Sequence, residues 1–161
     1  MLAVQHLDVL GITTIGGNCT LENVTKNALK VLEVLGRTDI PVYPGNSGPM
    51  VVPLVTAPQF HGESGLDGPV LPEPVAKPQN KHAVDFIIDT VMNTDDVTLI
   101  ATGPLTNIAC AIHREPRIVE RVKELSIMAA PLPSVTGHLP QNSIFLWIPK
   151  RHTRCSIPAS M

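Results

Sequence analysis

The apolar residues of this chain change their spacing at short intervals, and that alternation restricts the folds open to it. Val9 to Ile15 is a run rich in β-branched side chains closed by Gly16-Gly17, which suits a strand buried on both faces. From Thr20 the period lengthens. Leu21, Val24, Ala28, Val31, Leu32 and Leu35 recur at helical spacing, Glu22 sits where a first-turn anion is favoured, and Gly36 stands where a left-handed residue ends a helix. Ile40 to Tyr43 predicts a second strand. Val84, Ile87, Ile88 and Val91 then share a helical face that begins at His82, and Val97 to Thr102 is the clearest strand pattern. Gly103-Pro104 turns the chain into a helix bearing Leu105, Ile108, Ala109 and Ile112, with Pro104 near the first-turn position that tolerates proline. Pro116 opens a short charged helix to Lys123, and Leu125 to Met128 predicts one more strand.

Strands alternating with helices through short turns predict an α/β fold, a mostly parallel sheet with helices on both faces. Chemistry in such folds gathers beyond the carboxyl ends of the strands. Three segments occupy that rim: Gly16-Gly17-Asn18, the loop HGESGLDG from His61 to Gly68, and Thr102 at the end of VTLIAT. Eight of the sixteen prolines fall between Pro44 and Pro78 and five more between Pro131 and Pro158, so both stretches are expected to be poor in regular structure.

Composition narrows the function classes. The 161 residues suit one domain, and twelve basic against fourteen acidic side chains offer no cationic excess for a phosphate backbone or an anionic membrane. Cys19, Cys110 and Cys155 form no CxxC pair and are too scattered for a disulfide framework or a zinc knuckle. The apolar start is interrupted by Gln5, His6 and Asp8, which argues against a signal peptide or a membrane span. A soluble, cytoplasmic protein without a nucleic-acid or membrane partner is expected.

Each candidate site also has a plainer reading. Gly16-Gly17-Asn18 between strand and helix offers a phosphate cradle at a helix N-terminus, yet no GxGxxG or Walker pattern accompanies it, and a tight turn with Asn18 near the cap is the simpler account. In HGESGLDG, three glycines, one imidazole and two carboxylates suit an open ligand-facing surface, and they suit a solvated glycine-rich loop equally well. His82 and His113 fit helix-end roles, Asp95-Asp96 fits a solvated turn, and no function is assigned to His138 or His152.

Taken together, LGITTIGGNCTLENVTKNALKVLEVLGRTDIPVYPG, HGESGLDGP, HAVDFIIDTV, TLIATGPLTNIA and REPRIVERVKELSIM resemble the inosine-uridine nucleoside hydrolase family, in order from Val9 to Met128. The resemblance implies a calcium-dependent hydrolase with a largely parallel α/β fold, usually a dimer or tetramer, which splits ribonucleosides into ribose and free base. It implies that Asn18 is the active-site asparagine near metal and sugar. It implies that His61 faces the nucleobase and that the main-chain carbonyl of Thr102 binds calcium. The family's opening strand carries a DxDPGxDD motif with the calcium-binding aspartates and the general base, and these 161 residues do not contain it. The resemblance therefore implies a partial nucleoside-hydrolase fold with its central first strand missing, unpaired backbone and exposed apolar surface. No catalytic residue is assigned, weak or absent calcium binding is expected, and the chain is expected to be inactive. The alternative is a non-catalytic binding or assembly module that associates with an intact paralogue.

After Met128 the family continues with a Gly-Gly pair, a GNxTPxAEFN block and DPEAA, whereas this chain reads AAPLPSVTGHLPQNSIFLWIPKRHTRCSIPASM. Read one base back, Trp147-Ile148 must yield Asp. Codon degeneracy then permits Ala-Glu-Phe-Asn across Pro140 to Ile144 and Asp-Pro-Glu-Ala-Ala across Trp147 to His152. A single-base deletion near codon 129 is expected, dividing the chain into a partial hydrolase domain over residues 1–128 and an out-of-frame, irregular tail over residues 129–161.

Overall fold

The computed structural model describes residues 7–128. The expected tail with His138 and His152 lies outside the described residues, as does the segment before Leu7. In chain order the elements are β1 (Ile12–Thr14), α1 (Leu21–Val34), β2 (Val42–Pro44), α2 (Pro58–His61), α3 (Ala83–Asn93), β3 (Thr98–Ala101), α4 (Thr106–Arg114), α5 (Ile118–Arg121) and β4 (Glu124–Ile127).

Local chemistry fixes both ends of α1. Thr20 accepts the Asn23 N–H through its hydroxyl at 3.3 Å, which satisfies a donor that the first turn leaves open. Thr20 is thus the cap, and Asn18 stands two residues before it in the turn from β1. At the other end Gly36 takes φ 63°, and the N–H groups of Gly36 and Arg37 reach back to the carbonyls of Glu33 and Leu32 at 3.1 and 2.9 Å. This crossed pair terminates the helix. Thr25, Leu29 and Leu32 form its buried stripe.

The strands pair in parallel, Ile12 opposite Val42 and Thr14 opposite Pro44 in one pair, Thr98 opposite Glu124 and Ala101 opposite Ile127 in the other. Among the described residues the two pairs are not bonded to each other. Alternate residues of a strand bond to a given neighbour, so the peptide groups of Thr13 in β1 and of Thr98 and Ile100 in β3 point away from their partners.

Helices cover both faces of the first pair. Val42 packs with Leu29, Leu32 and Ile40 on the α1 side, while the adjacent Tyr43 stacks on Phe86 of α3 with ring centroids 3.8 Å apart. The second pair differs. Leu99 packs against the core of Val84, Ile87, Val91, Ala111 and Ile118, whereas Ile100 on the opposite face is 61% exposed. Pro104 also departs from expectation, since it precedes the cap residue Leu105 and stands outside the first turn of α4.

One buried side chain ties α4, the helix that follows β3, to the ends of the first pair. Asn107 of α4, 4% exposed, donates through Nδ2 to the Thr14 carbonyl at 2.9 Å, and its Oδ1 accepts from the main-chain and side-chain N–H groups of Asn46, each at 2.9 Å. Gly45 permits this approach, because a Cβ there would lie 2.4 Å from the Asn107 amide. Asn107→Ala removes all three bonds and takes from the partly buried Asn46 main-chain N–H its acceptor. The expected loss is about 2–3 kcal/mol of folding stability, read from the midpoint of urea unfolding.

Candidate functional site

Three turns adjoin at the carboxyl ends of the strands. The turn after β1 is pressed against the segment after β2: Gly16 N–H donates to the Asn46 carbonyl at 3.1 Å, and a Cβ on Gly16 would stand 1.9 Å from the Ser47 carbonyl oxygen. A Cβ on Gly17 would lie 3.2 Å from Pro104 Cδ, and one on Gly103 would lie 3.8 Å from Ile15 Cγ2. The two glycines therefore face protein, which removes the phosphate-cradle reading. Their small size lets the β1 turn meet the turn that carries Thr102.

Asn18 is exposed on that first turn, and its main-chain carbonyl accepts the Ala57 N–H at 2.8 Å. Ala57 is buried and caps the single turn of α2, an element that the proline-rich stretch concealed. Pro58 opens α2 at a position where no N–H is required, and the Phe60 and His61 N–H groups bond to the Ala57 carbonyl at 3.1 and 3.2 Å. His61 is thus one turn removed from a residue pinned to Asn18, with its side chain exposed.

Beyond His61 the chain folds back on itself. Gly62 takes φ 75°, Asp67 N–H approaches the His61 carbonyl at 3.4 Å, and Ser64 Oγ donates to Asp67 Oδ1 at 2.6 Å. His61, Gly62 and Asp67 border a shallow depression of about 410 Å³, and Asn46, Ser47 and Thr106 border another of about 430 Å³. The structure thus joins Asn18 to the His61 segment through a main-chain bond and to the Thr102 turn through the Gly17–Pro104 contact. Thr102 itself is exposed at the end of β3.

Other candidates resolve into structural roles. His82 Nδ1 accepts the Val84 N–H at 3.2 Å and caps α3, and His113 is exposed in the last turn of α4. Asp95 pairs with Arg121 at 3.1 Å and Asp96 with Lys123 at 3.3 Å, both on the surface. Among the described residues no three His, Cys, Asp or Glu side chains converge as a metal site, and no helix is long and apolar enough to cross a membrane. Sequence reasoning missed Asn46, in the irregular segment after β2, and Asn107, whose only signal was a polar side chain at a helix position that proves buried.

Residues 1–136 match the family model described as inosine-uridine preferring nucleoside hydrolase. The chain is 40% identical over 149 residues to "Uncharacterized protein C1683.06c" of Schizosaccharomyces pombe, covering 91% of this chain and 48% of that protein. It is 43% identical over 128 residues to the pyrimidine-specific ribonucleoside hydrolase RihA of Escherichia coli, covering 79% of this chain and 41% of the relative. A purine-preferring ribonucleoside hydrolase from Gardnerella vaginalis superposes with a TM-score of 0.73 at 30% identity, over 77% of this chain and 41% of that one. The chain therefore spans less than half the length of these relatives.

The close approach at Gly16 has a measurable consequence. Gly16→Ala forces Ser47 away and is expected to cost about 1–3 kcal/mol in chemical denaturation. Gly36→Ala, at φ 63° with no atom within 4 Å of the added carbon, should cost only the backbone strain, roughly 1 kcal/mol.

Proposed function

The chain belongs to the inosine-uridine preferring nucleoside hydrolase family, and from that premise we propose that its rim serves hydrolysis of the N-glycosidic bond of ribonucleosides, releasing ribose and free base. The observation that carries this reading is the junction of three turns, with Asn18 linked to the segment of His61 and set against the turn of Thr102.

The residues suit a sugar and a base. The Asn18 amide both donates and accepts, as a ribose hydroxyl requires. His61 presents an imidazole that hydrogen-bonds a nucleobase, and the Thr102 carbonyl adds a neutral oxygen beside the sugar. The family implies a calcium ion, which would bind ribose hydroxyls and acidify a water, and the contacts this chain would offer it are the Asn18 amide and the Thr102 carbonyl. Calcium takes about six to eight oxygen ligands, with carboxylates prominent among them. One amide and one carbonyl do not fit that requirement, and the 161 residues lack the acidic DxDPGxDD motif. The chain by itself is therefore a substrate-contacting half, without tight calcium binding and without significant turnover.

Both substrate classes enter the test, because the relatives are named for pyrimidine and for purine nucleosides. Purified chain with uridine or inosine and calcium is expected to release base about 10⁴-fold more slowly than an intact relative, since base and metal act as one unit. Turnover comparable to that relative sinks the inactivity. Calorimetric titration is expected to show no saturable calcium uptake below about 1 mM. Nucleoside binding, followed by NMR, should move the His61 and Asn18 signals, and His61→Ala should weaken it roughly tenfold. Shifts confined to other residues would refute the assignment of this rim.

A further inference from the structure

We infer that Asn23 and Asn27 are positioning residues that latch the loop following His61 onto the first two turns of α1. The inference rests on the reading of His61 as the base-facing group. Asparagine is disfavoured inside helices because its amide competes for backbone hydrogen bonds. Here two asparagines stand four residues apart, on one face of α1, and their amides turn outward to a distant segment. Asn23 Nδ2 donates to the Glu63 carbonyl at 3.0 Å, and Asn27 Nδ2 donates to the Ser64 carbonyl at 2.8 Å.

The next residue completes the fit. Gly65, at φ 78°, lies so close to α1 that a Cβ there would stand 2.1 Å from Cys19 Sγ. Three successive residues, Glu63, Ser64 and Gly65, thus seat against the turns that follow Asn18. On the near side of His61, Ala57 N–H is bound to the Asn18 carbonyl at 2.8 Å. The histidine is held between two anchors, and both belong to the Asn18 turn or the helix it opens. The Ser64–Asp67 and Leu66–Ser64 bonds stiffen the loop internally but do not attach it to the scaffold.

Losing the two amide donors should release the loop and leave the fold in place. The test uses the full 161-residue chain carrying Asn23→Asp and Asn27→Asp, near-isosteric changes that remove the donors at partly exposed positions. Gly65→Ala attacks the same latch from the loop side with α1 intact. Cleavage by a glutamate-specific protease after Glu63 is expected to rise roughly tenfold in either variant. Cleavage after the exposed Glu120 of α5 should stay constant, and the melting midpoint should stay within a few degrees. The response of the His61 ring signals to uridine or inosine should fall by a similar factor. An unchanged rate at Glu63 in both variants overturns the latch, and so does a rise matched at Glu120, which marks general unfolding. A wild-type His61 signal that ignores both nucleosides defeats the proposed site, while the cleavage rates still decide the latch.

Discussion

The Asn107 carboxamide is the interaction on which the arrangement of the rim depends. Two parallel strand pairs without a bond between them have no ladder to fix their relative position. In this chain a buried amide on α4 supplies that link, reading the Thr14 carbonyl at the end of one pair and both donors of Asn46 beyond it. A buried polar group is costly when unpaired and strongly directional when paired. Asn107 has bonds for both ends of its amide, so it acts as a fixed spacer between α4 and the ends of β1 and β2. The Tyr43–Phe86 stack adds apolar contact between β2 and α3 but gives less angular precision.

The glycines of the rim follow from that closeness. Gly45 admits Asn107, Gly16 admits the Ser47 carbonyl, and Gly65 admits Cys19. In each case the missing Cβ makes room for protein atoms, whereas a phosphate-binding loop keeps the space for a ligand. Glycine near a strand end is therefore ambiguous in a sequence. What decides its meaning is the atom opposite, and that atom comes from residues 31 to 62 positions away.

This separates what was legible from what was not. Helix α1 could be read almost end to end, because its apolar period from Leu21, its first-turn Glu22 and its Gly36 terminator all act within a few residues. The parallel pairing was legible from the alternation of strands and helices. The strands proved three or four residues long with bounds shifted by one to three residues, since a short apolar run marks a strand without marking where pairing stops. The one-turn α2 was hidden by prolines that usually signal irregular chain. As for the site, local patterns placed Asn18, His61 and Thr102 on the rim but gave them no role; the roles came from the family resemblance. Asn107, Asn46, Asn23 and Asn27 left no usable trace, because an amide that bonds across 37 to 93 residues looks like any surface asparagine in one dimension.

The inventory of groups on this rim also sets the limit of its chemistry. Amides, carbonyls and an imidazole offer hydrogen bonds to the hydroxyls and base of a nucleoside but no fixed negative charge. Cleaving the glycosidic bond builds positive charge on the sugar and needs a deprotonated water nearby, so acceleration requires fixed negative charge placed where that charge develops. Asn18, His61 and Thr102 add no formal negative charge. On the proposed reading these three residues would orient a substrate, and acceleration would require acidic groups beyond them. On that reading the placement of Asn18 against the turn of Thr102 depends on Asn107, which holds α4 to the ends of β1 and β2.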